Sequence, residues 1–309
     1  MKTIKIPLKL LLFPVAVAIL YLAGFALAAE SPGQSEIILL DTYYRNVTKL
    51  ETSNFGRPLY LESVEQDNRM QVDVYGIFDY PFDIVAKVLD VPENWCDIAS
   101  LHPNVKACTY KERAGKWLLT FYLGRKDNQP LEDTHQIIWH YREVERQQGY
   151  LDVVIFADQG PYGTKNHSMR FEALPLDGGR TFVHVRYAFS DSKALRLVAK
   201  FYFATFGRDK VGFTVTGINT DGDPVYIGGP RGAIERSAAR YYFAIQSFMN
   251  TLHYPEANRF NMRINDWYNL TIACRKQLFD LEKKEYLLIK TSEHSHQVAL
   301  QARIGAALQ

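Results

Sequence analysis

Pro230 to Tyr254, PRGAIERSAARYYFAIQSFMNTLHY, is the stretch on which the fold turns. Ile234, Ala238, Tyr241, Ile245, Phe248 and Leu252 recur at steps of four, three, four, three and four, the spacing of one helical face. Glu235, Arg236 and Arg240 fall elsewhere on the wheel. A long helix with one apolar, aromatic face needs a large apolar surface to lie on. Tyr241, Tyr242, Phe248 and Met249 can fill irregular space there or line a cavity.

Upstream, the chain offers that surface as strands. MQVDVYGIF from Met70 to Phe78 alternates, and further strands are expected over 104–111, 116–123, 135–146, 150–157, 166–174 and 181–189. Turn signals such as Ala114-Gly115 and Asp177-Gly178-Gly179 separate them, with no helix-length insert between most, so the sheet is expected to be an antiparallel meander. Pro81 and Pro92 each open a short helix after the first strand. The apolar segment ALRLVAKFYFATF, 194–206, reads as a lid over a pocket mouth or as a buried hairpin.

At the start, Lys2, Lys5 and Lys9 precede an apolar run that ends Ala26-Leu27-Ala28-Ala29, the order of a secretory signal peptide, with an uncleaved membrane anchor as the alternative. Removing residues 1–29 takes the 36 basic residues to 33 against 34 acidic ones, a net charge of −1. Such a balance gives no support to nucleic-acid binding. The expected organisation is a signal peptide over 1–29, an arm with a short helix over 30–68, the main domain over 69–256, a helical extension over 257–291 and a solvated, flexible tail over 292–309. Export would place Cys96 and Cys108 in an oxidising compartment, where a bridge between them and two buried thiols both remain open.

The order of strand, two short helices, long meander and long helix resembles the helix-grip fold of START-like domains, the superfamily that includes lipid-transfer proteins and polyketide cyclases. YGIFDYPFDIVAKVLDVPENWCDIASLHPNVKACTY (75–110) and GGPRGAIERSAARYYFAIQSFM (228–249) carry the likeness, which spans about residues 70–254. Neither piece is a catalytic signature. The resemblance implies an α+β fold, a curved antiparallel sheet wrapped around the long helix with extra N- and C-terminal helices, and a pocket between them for an apolar ligand.

No HExxH, GxSxG, Walker or Rossmann pattern is present, and no cofactor or metal is expected. His135, His140, His167 and His184 are scattered, and His294-Ser295-His296 lacks partner ligands. The expected pocket lining is Tyr75, Trp117, Phe121, Trp139, Tyr141, Met169, Phe171, Tyr187, Tyr242, Ile245 and Met249, with Arg231 beside Gly228-Gly229 as a candidate head-group contact. The reading is a periplasmic or secreted binder, and carrier, of a lipid or other hydrophobic small molecule, with a transient membrane contact and no nucleic-acid partner. Its rivals are a cyclase- or hydrolase-type enzyme using the same pocket and an interaction module with a filled core.

Overall fold

The computed structural model describes residues 33–306 apart from Asp67, Gln148 and Phe206. The expected signal peptide lies outside the described residues. The elements run α1 (Gln34–Glu51), β1 (Leu59–Gln66), β2 (Arg69–Phe78), α2 (Phe82–Leu89), α3 (Pro92–Ala99), β3 (Val105–Arg113), β4 (Lys116–Leu123), β5 (His135–Gln147), β6 (Tyr150–Gln159), β7 (Lys165–Leu176) and β8 (Arg180–Ser190). There follow α4 (Lys193–Ala204), the small hairpin β9 (Val215–Ile218) and β10 (Pro224–Tyr226), α5 (Gly229–Asn250), α6 (Glu256–Ile272), α7 (Arg275–Leu278) and α8 (Lys283–Ala306).

Eight strands form one antiparallel sheet in the order β1-β2-β8-β7-β6-β5-β4-β3. β3 to β8 are the expected meander, and β2 joins its far end by pairing with β8. The stretch expected as an arm over 30–68 contributes a strand to this sheet, β1, which pairs with β2 from Leu59 opposite Gly76 to Gln66 opposite Arg69. Period-two alternation then sorts the side chains. Val72, Val74 and Phe78 enter the main core under α5, whereas Tyr75 and Phe182 enter a second cluster with Leu39 and Leu50 of α1 on the outer face.

α5 is covered on both sides. Its apolar face meets the sheet, and α6 packs behind it, with the Trp267 indole donating to the Arg240 carbonyl at 3.1 Å. Arg240 is therefore 4% exposed rather than outward-facing, its guanidinium bonded to Asp280. Glu235 is fully buried, its carboxylate accepting from Ser63 Oγ at 2.6 Å, Phe213 N at 2.6 Å, Thr214 N at 3.0 Å and Thr214 Oγ1 at 2.7 Å. Four donors offset the cost of taking that charge out of water.

The tail expected to be flexible from Ser292 is instead the greater part of α8, which runs along the edge strand β3. An open edge exposes unpaired backbone groups, and α8 satisfies them with side chains. Gln297 Oε1 accepts from Cys108 N at 2.8 Å, and Gln301 both accepts from Tyr110 N and donates to Tyr110 O at 2.9 Å. Buried Lys290 donates to the carbonyls of His102 and Val105 and to Glu293, which also accepts from Lys106. Cys96 of α3 and Cys108 of β3 are joined by a disulfide.

Candidate ligand-binding site

α5 closes on the sheet unevenly. Along its second half Tyr242, Ile245, Phe248 and Met249 are buried in the core. Gly76 of β2 admits the Tyr242 ring so closely that a Cβ there would collide with the Tyr242 hydroxyl. Along the first half, Ala233 and Ser237 are small, and space remains. A cavity of about 290 Å³ lies between Ser237 and Tyr241 of α5 and the i, i+2 pairs Phe121/Leu123, Ile137/Trp139, His167/Met169 and Tyr187/Phe189 of the sheet. Ala157 of β6, paired with His167, adds little bulk between Trp139 and His167, whose rings meet edge-on at 5.9 Å. A second cavity of about 370 Å³, covered by α4 through Ala199, Tyr202 and Phe203, adjoins the first, since Tyr187, Phe189, Leu195 and Ser237 line both. The second lies within the size range of small-molecule sites, and the first sits at its lower edge.

The first cavity's polar chemistry is fixed by hydrogen bonds. Thr164 spends its only proton on the Pro161 carbonyl at 2.7 Å, so its Oγ1 accepts from His167 Nε2–H at 2.8 Å. His167 Nδ1 is then an acceptor, and the Tyr187 hydroxyl donates to it at 3.0 Å. Burial holds His167 at about 4, a neutral imidazole at physiological pH. His102, stacked on Tyr241 at 4.8 Å, is likewise held neutral, first by burial and then by the charges of Arg240, Lys126, Lys290 and Lys106. Burial pushes the hydroxyls of Tyr187 and Tyr241 up. No Asp, Glu, Lys or Arg is among the described residues lining this cavity.

Of the expected lining residues, Phe121, Trp139, Met169 and Tyr187 meet in the cavity. Phe171, Tyr242, Ile245 and Met249 are buried in the core and are not among the residues lining the cavity. Trp117 and Tyr141 border a separate open groove with Asp90 and Glu143, the Tyr141 hydroxyl donating to Asp90 O at 2.8 Å. Tyr75 points to the outer face because it shares strand parity with Asp73 and Ile77, and it donates to Glu62 at 3.1 Å. Arg231 holds β1, donating to Ser63 O at 2.8 Å beside another cleft. The four scattered histidines do not converge: His184 lies on the outer face, and His140 stacks on Phe156 at 5.1 Å. His102, Thr164 and Ser237 were missed as site residues, and Tyr241 was expected only as a residue able to fill space or line a cavity.

A curved sheet grips one long helix and leaves a cavity at one end of it. The fold is a helix grip, an antiparallel sheet closed around one long helix. Neither a family model nor a curated protein matches the chain. Among solved structures it is similar to a STAR-related lipid transfer protein fragment from Xanthomonas axonopodis, at 15% identity over 48% of this chain and 88% of that one, TM-score 0.32. It is also similar to an aromatase/cyclase from Streptomyces sp. R1128, at 12% identity over 65% and 94%, TM-score 0.32, and to human StAR-related lipid transfer protein 5, at 8% identity over 56% and 92%, TM-score 0.29. What the site can do rests on this chain's own residues. Among those described, no His, Cys, Asp and Glu group could hold a metal ion.

Proposed function

We propose that the protein binds, and carries outside the cytoplasm, a neutral hydrophobic small molecule of lipid type bearing a hydroxyl group. The observation that carries this reading is a largely apolar cavity with no ionised side chain in its lining and one oriented oxygen, Tyr187 Oη, whose proton is committed to His167. Burying a charged head group beside it would leave that charge unpaired, whereas a ligand hydroxyl could donate to Tyr187. Acid–base catalysis is served poorly by the same groups, because efficient proton transfer needs pKa values near the working pH and His167, His102, Tyr187 and Tyr241 are all displaced from it. The signal-like order of residues 1–29 supports export.

Native mass spectrometry of protein purified without detergent, followed by extraction, tests the reading. The expected result is one neutral, hydroxyl-bearing lipid per chain, with an intact mass that shows loss of the residues up to Ala28 or Ala29. Binding of anionic phospholipids as tightly as of neutral lipids, or of nothing from a broad panel, would overturn it. Retention of Met1 in a membrane-sedimenting protein would make the segment an anchor.

A further inference from the structure

α4 is apolar on two opposite sides. Leu195, Ala199, Tyr202 and Phe203 turn inward to the second cavity. Leu197 and Phe201, four residues apart and so on one stripe, turn outward and are 57% and 67% exposed. Ala194 and Ala204 are exposed as well, and no residue of α4 is buried. An apolar face belongs against a core or against lipid, and the outer stripe of α4 lies on the surface with nothing over it among the described residues.

Charge selects between the surfaces that could cover it. The exposed Lys193 and Lys200 flank the outer stripe, Arg196 reaches back to Asp191 and Asn68, and α4 contains no acidic residue. Lysine stems can lie along apolar surface while their ammonium groups reach a head-group plane, and anionic lipids attract such cations. A short amphipathic helix with aromatic and aliphatic residues between cations lies flat in that interface.

We propose that the outer face of α4 docks on an anionic lipid bilayer. The same helix walls the cavity on its other side, so docking sets the cover of the ligand chamber in the lipid interface, where a hydrophobic ligand would be collected or released. Docking does not require the cavity to be filled, and it therefore fails or stands separately from the ligand-binding reading.

The test places an environment-sensitive fluorophore on the outer face through Ala194→Cys in the full chain, with Cys274→Ser removing the free thiol. A probe on α4 reports insertion of α4 itself, whatever residues 1–29 do. Vesicles of phosphatidylcholine with phosphatidylglycerol should shift the emission to the blue, and phosphatidylcholine alone should do so more weakly. Leu197→Asp combined with Phe201→Asp should raise the half-saturating lipid concentration about tenfold or more, because two apolar side chains no longer enter the interface. Both positions are exposed, so the thermal midpoint should stay unchanged. The proposal is overturned by an emission that ignores both vesicles, or by a shift that the paired substitutions leave intact. A shift without lipid that grows with protein concentration and vanishes with the same substitutions would assign the face to a second copy of the chain and would also overturn it.

Discussion

Beside His102 Nε2 and Trp139 Nε1, unpartnered among the described residues, Tyr187 presents the cavity with an oxygen whose orientation is fixed. Its proton goes to His167 Nδ1, which is available only because Nε2–H is held by Thr164. Gly160 makes that chain fit, since a Cβ there would collide with both His167 Nε2 and Thr164 Oγ1. Tyr187→Phe leaves His167 Nδ1 without a donor and should cost about 1–3 kcal/mol of stability. It should also erase a preference of up to about tenfold for a hydroxylated ligand over its methyl ether, the worth of one net hydrogen bond. Equal discrimination by wild type and Tyr187→Phe in titrations with the two ligands would remove Tyr187 from the recognition. Alternation marked Tyr187 as a lining residue, but the path through His167 to Thr164 was not legible. It joins a strand to the preceding turn through side-chain rotamers, and a turn such as Gly160-Pro161-Tyr162-Gly163-Thr164 looks in sequence like any other.

α5 borders two cavities at Ser237 and is fully buried at Ile245, and the same bulky substitution should separate the two positions. Ser237→Trp adds a ring where two cavities meet; it should abolish ligand binding while leaving the thermal midpoint nearly unchanged. Ile245→Trp adds one where the side chain is fully buried and should cost about 1–3 kcal/mol or more by overpacking. Calorimetry and ligand titration on both variants decide it: equal destabilisation would mean that the cavity at Ser237 is not open space. β2 to β8 were readable from apolar alternation and turn signals, and α5 because its apolar stripe is regular, whereas β1 fell within the stretch read as an arm. Its burial on the far side was not readable, since the partners of Glu235 and Arg240 lie at Ser63, Thr214 and Asp280. α8 escaped for a related reason. Lys290, Glu293, Gln297 and Gln301 recur at helical spacing, but the stripe is polar and serves a strand edge instead of an apolar core.

Across the whole molecule, the two faces of the sheet hold histidines in opposite states, and stability should depend on pH accordingly. In the cavity, His167 at about 4 and His102 well below its usual value stay neutral, so their contribution is present above about pH 6.5 and is lost as pH falls toward the folded values. On the outer face, burial opposes protonation of His184, but hydrogen bonds to Asp73 at 2.7 Å and Glu172 at 2.9 Å, with their charge, outweigh it and raise its pKa. Burial likewise opposes ionisation of Asp73 and Glu172, yet His184 and the arginines Arg186 and Arg170 hold Asp73 at about 2 and keep Glu172 lowered. The imidazolium between two buried carboxylates therefore stabilises the fold fully below about pH 6.5, and that share disappears as pH rises through the folded-state value. His184→Gln removes the cation and leaves both carboxylates short of a partner, which should cost about 3–5 kcal/mol at pH 6. By pH 9 the unfolded chain has long been neutral at this position and the folded protein has lost much of its advantage, so the gap between wild type and variant should narrow. Urea midpoints of the two proteins at pH 6 and pH 9 measure both gaps, and a gap of constant size would mean that His184 carries no extra proton in the folded protein.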